Sequence, residues 1–248
     1  MLQELLERPA RAVRLEEDWQ LEIFRTLISG MVDLLNYLYQ ITDKIGFPSY
    51  GLAIIFLTIL IKMILYPLTK KQMISMAVMK KLQPKVKEIQ DKWKERDQKK
   101  MSEMIMALYK ENNANPLSGC LPLLIQMPIL IALYRALFNF EYINADHAGF
   151  FWITSLSVRD PYYLMPLLAA ATTFLQSKMT ISDSDQTQRM MLYMMPLLIG
   201  WISMSIPSGM ALYWVMFNIV GITQQYYINK RYINNTTTNP LREDAAGK

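Results

Sequence analysis

Between Gly51 and Pro67 the chain reads Gly-Leu-Ala-Ile-Ile-Phe-Leu-Thr-Ile-Leu-Ile-Lys-Met-Ile-Leu-Tyr-Pro, an apolar run broken by one charge, Lys62. The run is long enough to cross a bilayer as a helix. A lysine at that depth is costly, so in a membrane helix it faces a bundle interior or a water-filled cavity. A plainer reading is a snorkelling lysine. Lys62 lies seven residues before Thr69, which is about 10 Å at 1.5 Å per residue, and a lysine stem covers part of that distance. Directly after the run the sequence turns basic at Thr69-Lys70-Lys71.

Of the 248 residues 52% are hydrophobic, and these are clustered into runs. That composition predicts an all-α integral membrane protein rather than a soluble domain. Five candidate spans are expected at residues 49–69, 117–138, 162–178, 190–206 and 208–227. The third and fourth are short against the ~20 residues of a straight crossing, and are expected to lean on neighbours or to sit in thinned bilayer. Pro67, Pro122, Pro128, Pro166, Pro196 and Pro207 lie in or beside the spans. Each frees a backbone carbonyl that neighbouring helices or water must satisfy, so kinks and internal hydration are expected.

Charge orients the spans. Twelve of the 26 Lys and Arg residues lie between Lys70 and Lys110. The loop after the second span carries Arg159 with Glu141, Asp146 and Asp160, and the loop after the third carries Lys178 and Arg189. The tail carries Lys230, Arg231, Arg242 and Lys248. Basic residues thus favour alternate loops on one side, expected to be the cytoplasmic one. The N-terminus is then outside and the C-terminus inside, in the cytoplasmic membrane of a cell.

The basic segment 70–116 has helical order. Ile74, Val78, Leu82, Val86, Ile89 and Trp93 form one stripe at steps of three and four, and Met101, Ile105 and Leu108 form a second. Two amphipathic helices at that spacing predict a cytoplasmic helical hairpin turning at Asp97-Gln98. Pro84 is expected to kink or interrupt its first arm. Residues 1–18 are expected to be a flexible tail without the apolar core of a signal peptide. Residues 19–44 carry Ile23, Leu27, Met31, Leu34, Leu35 and Leu38 on one face. They are read as an interfacial amphipathic helix, or alternatively as a helix packed on the others. Residues 45–228 make up the core with its hairpin, and 229–248 a short cytoplasmic tail.

Cys120 and His147 stand alone in their residue types. No disulfide framework or thiolate metal site can form within one chain, and a lone histidine in a predicted loop reads as an ordinary polar residue. No Walker loop is present. Ser208-Gly209 has no histidine base after it, which argues against an intramembrane serine protease. Glu88, Asp91, Glu95, Asp97 and Glu103 interleave with the basic cluster and no nucleic-acid motif accompanies it, so nucleic-acid recognition is the weaker reading. No enzyme chemistry, cofactor, metal or small-molecule substrate is expected.

Several stretches resemble one family. They are Lys62-Met-Ile-Leu-Tyr66-Pro67-Leu68-Thr69; Leu82-Gln83-Pro84-Lys85; Met106-Ala-Leu-Tyr109-Lys110; Asn115-Pro116-Leu-Ser-Gly119-Cys120-Leu-Pro122-Leu-Leu-Ile-Gln126-Met127-Pro128-Ile129; Asp160-Pro161-Tyr162-Tyr163; and Pro207-Ser208-Gly209-Met-Ala-Leu212-Tyr213-Trp214 with Asn218. Together they cover roughly residues 45–230 in order and resemble the YidC-type membrane protein insertases, a family that includes the mitochondrial oxidase-assembly and chloroplast Albino proteins. The lack of a large external domain resembles the Gram-positive and organellar forms.

The resemblance implies a five-transmembrane-helix insertase core with a hydrophilic groove open to cytoplasm and lipid and closed outside. In the family a basic residue, usually arginine, projects into that groove. Lys62 stands at the matching position, a departure that matters because arginine keeps its charge almost anywhere and a buried lysine gives up its proton more easily. Thr58, one turn away, then Gln126, Thr172, Gln176 and Trp214 are expected to line the groove with Lys62. Taken singly, each reads equally as a helix–helix hydrogen bond. The resemblance puts Thr58 and Trp214 where they face passing substrate. Methionines such as Met190, Met191, Met194 and Met195 suit varied apolar partners, although ordinary packing explains most of them. Nascent membrane proteins and the lipid bilayer are the implied partners, with the Sec translocon and the ribosome as candidates beyond them. A transporter or channel, and an assembly chaperone without insertase activity, are the alternative readings. The first predicts a path open at both faces; the second does not need Lys62.

Overall fold

The computed structural model describes residues 2–119, 121–138, 140, 142–180 and 186–232. Among these residues are seven α-helices: α1 (Leu2–Lys44), α2 (Tyr50–Trp93), α3 (Gln98–Glu111), α4 (Leu121–Phe138), α5 (Leu164–Thr180), α6 (Gln186–Ser203) and α7 (Ser208–Tyr232). The only β pairing among them is an isolated bridge between Phe150 and Ile153.

Ser49 starts α2 with extended backbone, its Oγ accepting from the Leu52 amide at 3.4 Å. The helix then continues for 44 residues through both Pro67 and Pro84. At 1.5 Å per residue that is about 66 Å, roughly twice the hydrocarbon thickness of a bilayer. The first expected span and the first hairpin arm are therefore one helix. Pro84 was expected to kink or interrupt that arm, and it does not interrupt it: a proline removes one intrahelical bond, and packing on both sides keeps the remaining turns helical.

Asp97 restarts the chain as the N-cap of α3, accepting from the Lys100 amide at 3.0 Å. Asn113 takes a left-handed φ of 52° after α3, a conformation asparagine tolerates. Ser75 pins the return: its Oγ donates to the Asn115 carbonyl at 3.3 Å and accepts from the Asn115 amide at 2.8 Å. Ile74, Ala77, Val78, Leu82 and Val86 bury against Tyr109, Ala114 and Ile228. Ile228 belongs to α7, so the hairpin is seated on the bundle. Lys80 adds a polar tie, donating to the carbonyls of Lys178 (2.9 Å) and Met179 (3.2 Å) at the end of α5. Burial lowers its ammonium from the ordinary lysine value, while the carbonyls and the α5 C-terminal dipole favour the charged form.

α1 corrects the expected boundary at residue 18, since one helix runs from Leu2 to Lys44. Met31, Leu35 and Tyr39 are buried against α2 and α4, so this face packs on the bundle, while Leu27 of the same expected stripe is exposed.

At the end of the bundle away from the hairpin, aromatic rings interlock. Tyr39 stacks on Tyr50 with centroids 4.1 Å apart, and Phe140 and Tyr142 meet the Tyr50 ring edge-on. The Tyr39 hydroxyl is 2.7 Å from His147 Nδ1, and the Ile143 amide donates to the Tyr50 hydroxyl at 2.8 Å. Asp160 ties this cap to α5: its carboxylate accepts from Trp152 Nε1 (3.0 Å), the Tyr162 amide (3.0 Å) and the Met165 amide (2.6 Å). Ser208 at the start of α7 bonds back to the Val158 carbonyl through both its hydroxyl and its amide.

Helices stand in the five stretches expected to span, although Pro116–Gly119 is a short 3-10 turn ahead of α4. Among the described residues α2 alone is long and apolar enough to cross a membrane on its own, with shorter apolar helices at Gln126–Phe138 and Arg189–Ser203. Cys120, residues 181–185 and the part of the expected C-terminal tail beyond Tyr232 lie outside the described residues.

Two glycines, Gly51 at the capped end and Gly30 in α1, test the packing. A Cβ on Gly51 would stand 2.0 Å from Phe150 Cδ2, whereas one on Gly30 meets nothing within 4 Å. Overpacking of this kind costs about 1–3 kcal/mol. Gly51→Ala is therefore expected to lower the thermal unfolding midpoint of the protein in detergent or nanodiscs. Gly30→Ala should leave the midpoint unchanged or raise it, since alanine is the better helix former.

Candidate functional site

The site grows from one stripe of α2. Lys62, Leu65, Thr69, Gln72, Met73 and Met76 recur at helical spacing and line one side of a cavity of about 80 Å³. From Lys62 to Met76 the stripe runs about 21 Å along the axis, from mid-span to the hairpin arm. α4 contributes Gln126, α5 contributes Gln176 and Thr180, and α7 contributes Phe217 and Gln225. The volume holds a few water molecules at roughly 30 Å³ each.

Lys62 is 5% exposed, with its Nζ 3.4 Å from the centroid of the Phe217 ring. The group facing the ammonium is thus an aromatic ring rather than a carboxylate. Gly221 makes room on the same helix: a Cβ there would lie 2.7 Å from Gln176 Nε2 and 3.2 Å from Lys62 Nζ. Lys62 and Gln176 therefore bring their polar ends together over a glycine.

Toward the aromatic cap the cavity is closed. Thr58 is fully buried, its hydroxyl donating to the Ile54 carbonyl at 2.7 Å. Above it Ala53, Ile54 and Leu57 belong to the main apolar core. Toward the hairpin the lining turns polar, through Thr69, Gln72, Thr180 and Gln225. A larger groove of about 640 Å³ between α1 and α2 is floored by Gly30, Met31, Leu57 and Ile61. Glu22 and Thr26 also line it, and the rest of its wall is apolar.

Of the residues singled out in the sequence, Lys62, Gln126 and Gln176 meet at the cavity. Gln126 Nε2 donates to the Tyr213 hydroxyl at 2.7 Å. Thr58, Thr172 and Trp214 are not part of its lining. Thr172 and Trp214 form a second polar cluster between α5 and α7. Asn218 Nδ2 donates to the hydroxyls of Thr172 (3.1 Å) and Thr173 (2.8 Å), and Trp214 Nε1 donates to Thr173 at 3.0 Å. Sequence reasoning missed Thr69, Gln72, Thr180 and Gln225. Thr69 lies seven residues after Lys62, a spacing that returns to the same helical face, whereas Gln72, Thr180 and Gln225 reach the cavity only through packing.

A cavity with its polar end toward the hairpin and its other end against the apolar core has a chemical signature. In a Cys120→Ala background, Thr69→Cys and Met76→Cys are expected to react with a water-soluble maleimide in the native protein. Ile54→Cys, 1% exposed beneath the cap, should react only after unfolding. Equal labelling at positions 54 and 76 would mean a path open at both ends.

Comparison with known proteins identifies the family. A family model described as 60Kd inner membrane protein matches residues 40–236. The membrane protein insertase YidC of Geobacter sp. (strain M21) is 41% identical over 218 residues, 88% of this chain and 39% of that protein. That of Syntrophus aciditrophicus (strain SB) is 42% identical over 214 residues, 86% of this chain and 37% of that protein. A crystal structure of an active YidC insertase with the first transmembrane domain resolved superposes with a TM-score of 0.66 at 28% identity, over 82% of this chain and 46% of that one. The chain thus spans less than half the length of these relatives. It belongs to the 60Kd inner membrane protein family, that of the YidC membrane protein insertases.

Proposed function

We propose that this chain inserts membrane proteins into the bilayer and helps them fold, acting as an insertion factor without nucleotide hydrolysis. The observation that carries this reading is the buried Lys62 ammonium, without a facing carboxylate, at the inner end of a polar cavity closed on one side. Its membership of the insertase family supports the same conclusion.

In this reading α2, α4, α5, α6 and α7 are the five spans, with the aromatic cap outside and the α2–α3 hairpin in the cytoplasm. The Lys/Arg asymmetry supports that orientation. α1 lies along the outer interface with its apolar face on the bundle. Nascent membrane proteins are the substrates, and the hairpin meets them first. The Sec translocon and the ribosome are further partners to test.

The physical task is to move a short polar tail across while its hydrophobic segment slides into lipid. The end state is favourable, at about −0.3 to −0.6 kcal/mol for each central Leu or Ile. The barrier is the tail, at about +2.5 to +3.5 kcal/mol for a charged residue at mid-bilayer. A hydrated cavity reaching Lys62 shortens that crossing. The ammonium holds an acidic tail residue there transiently. The membrane potential then draws negative charge outward with about 2.3 kcal/mol per charge per 100 mV.

Lys62 variants test this in proteoliposomes, with matched single-span substrates that differ only in tail charge. Lys62→Arg should retain insertion. Lys62→Ala and Lys62→Glu should slow the acidic-tail substrate by ~10- to 100-fold, the loss expected for a charge-assisted hydrogen bond. A neutral-tail substrate with a very hydrophobic span should suffer less. If a folded Lys62→Ala protein inserts the acidic tail at the normal rate, Lys62 is a structural residue and the mechanism is wrong.

A further inference from the structure

The cavity around Lys62 is lined by an excess of unanswered amide groups. Among the described residues seven buried side-chain polar atoms lack a hydrogen-bond partner, and four of them are Gln72 Nε2, Gln72 Oε1, Gln176 Oε1 and Gln225 Oε1. All three glutamines face this cavity. Gln72 is 4% exposed and Gln225 is 1% exposed. Polar groups in a buried site are destabilising unless something answers them, so their concentration at one place marks a site that water fills at rest and a polar ligand can take over.

The inventory of groups says what that partner must offer. Lys62 and Gln72 Nε2 are donors, and three amide oxygens are acceptors. An acidic side chain supplies acceptors and nothing else. It would answer Lys62 and Gln72 Nε2, and it would leave the oxygens of Gln72, Gln176 and Gln225 unmet. A group that satisfies this lining must bring N–H or O–H donors as well. A polypeptide main chain brings one N–H and one C=O per residue, spaced ~3.3 Å apart when extended.

We infer that the glutamines Gln72, Gln176 and Gln225 pair with the main chain of a translocating polypeptide, so that the cavity recognises peptide groups whatever the side chains. This rests on the insertase reading and adds its specificity rule. Lys62 selects by tail charge, and the amides accept any tail that carries backbone N–H groups. Gln225 is held for the task, its Nε2 donating to Asn229 Oδ1 at 2.7 Å, so its Oε1 is the end left for a ligand. The resting volume of about 80 Å³ suits a few waters, and the polypeptide replaces them as the hairpin end opens.

The test compares two substrates on the purified wild-type protein in proteoliposomes. Both have the same hydrophobic span and a neutral tail, of alanine and glycine in one and of N-methylglycine in the other. N-methylation removes the N–H donors and makes the tail less polar, so unassisted partitioning would move it faster. The inference expects the opposite order, with the N-methylated tail inserting about three- to tenfold more slowly, the effect of one lost hydrogen bond of ordinary strength. Gln72→Leu and Gln225→Leu, verified as folded by thermal unfolding, should slow the alanine-glycine tail and erase the difference between tails. Lys62→Ala should keep it. Equal or faster insertion of the N-methylated tail by wild-type protein overturns the inference, as does a difference that survives both glutamine variants. If the protein inserts neither tail nor the acidic one, the insertase reading itself fails, which is a separate outcome.

Discussion

The Lys62 ammonium rests on the face of the Phe217 ring, and the rest of the site follows from that contact. A buried charge with a carboxylate partner is neutralised and held, and breaking the pair is costly. A ring attracts a cation through its quadrupole, worth about 2 kcal/mol or more when desolvated, and leaves the ammonium hydrogens able to donate elsewhere. In the protonated form of Lys62 the charge is steadied by the ring without being neutralised. Gly221 follows from the same contact, because a side chain there would collide with Gln176 and crowd Nζ. The surrounding glutamines follow too, since an ammonium that keeps free donors needs polar neighbours or water within reach.

One-sidedness comes from the opposite end. Tyr39, Tyr50, Phe140 and Tyr142 interlock by stacking and edge-to-face contacts, and each phenol that turns inward finds a hydrogen-bond partner. Asp160 holds the 150s loop to the start of α5 with both carboxylate oxygens. A water-filled path cannot form through rings packed this way without unstacking several of them together. A channel reading needs a path open at both faces, and this cap opposes it.

The helical content and the positions of the apolar helices were legible because apolar runs and the prolines between them are local signals. Lys62 was legible because a charge inside an apolar run has few explanations. The unbroken α2 was not. Composition changes sharply at Lys70, from lipid-compatible to basic, and a change of solvent looks in sequence like a change of element. The α1 boundary was missed for a related reason, because charged residues at 1–18 resemble a tail yet remain compatible with helix. Gln72 and Gln225 were hidden by their neighbours. Each sits beyond an apolar run, among residues suited to water, and only three-dimensional packing turns both toward Lys62. Thr172 and Trp214 show the converse. Both are polar at membrane depth, and both are used between α5 and α7 in bonds to Asn218 and Thr173.

The continuity of α2 changes how the hairpin can act. A hairpin joined to the first span by a loop could swing as a lid without disturbing the span. Here the arm and the span share one helix, and the cavity lining crosses from one to the other along a single stripe. Movement of the arm must therefore move Gln72, Met73 and Met76 relative to Lys62, or else carry Lys62 with it. Pro67 lies between the two halves of the lining and lacks the amide that would bond back to the Met63 carbonyl. Bending is easiest where that bond is missing, and a bend there separates Lys62 from Gln72. The Lys80 bonds to the end of α5 and the burial of Ile228 beneath the hairpin hold the arm in place. The groups that steady the hairpin thus also set how far the polar cavity opens.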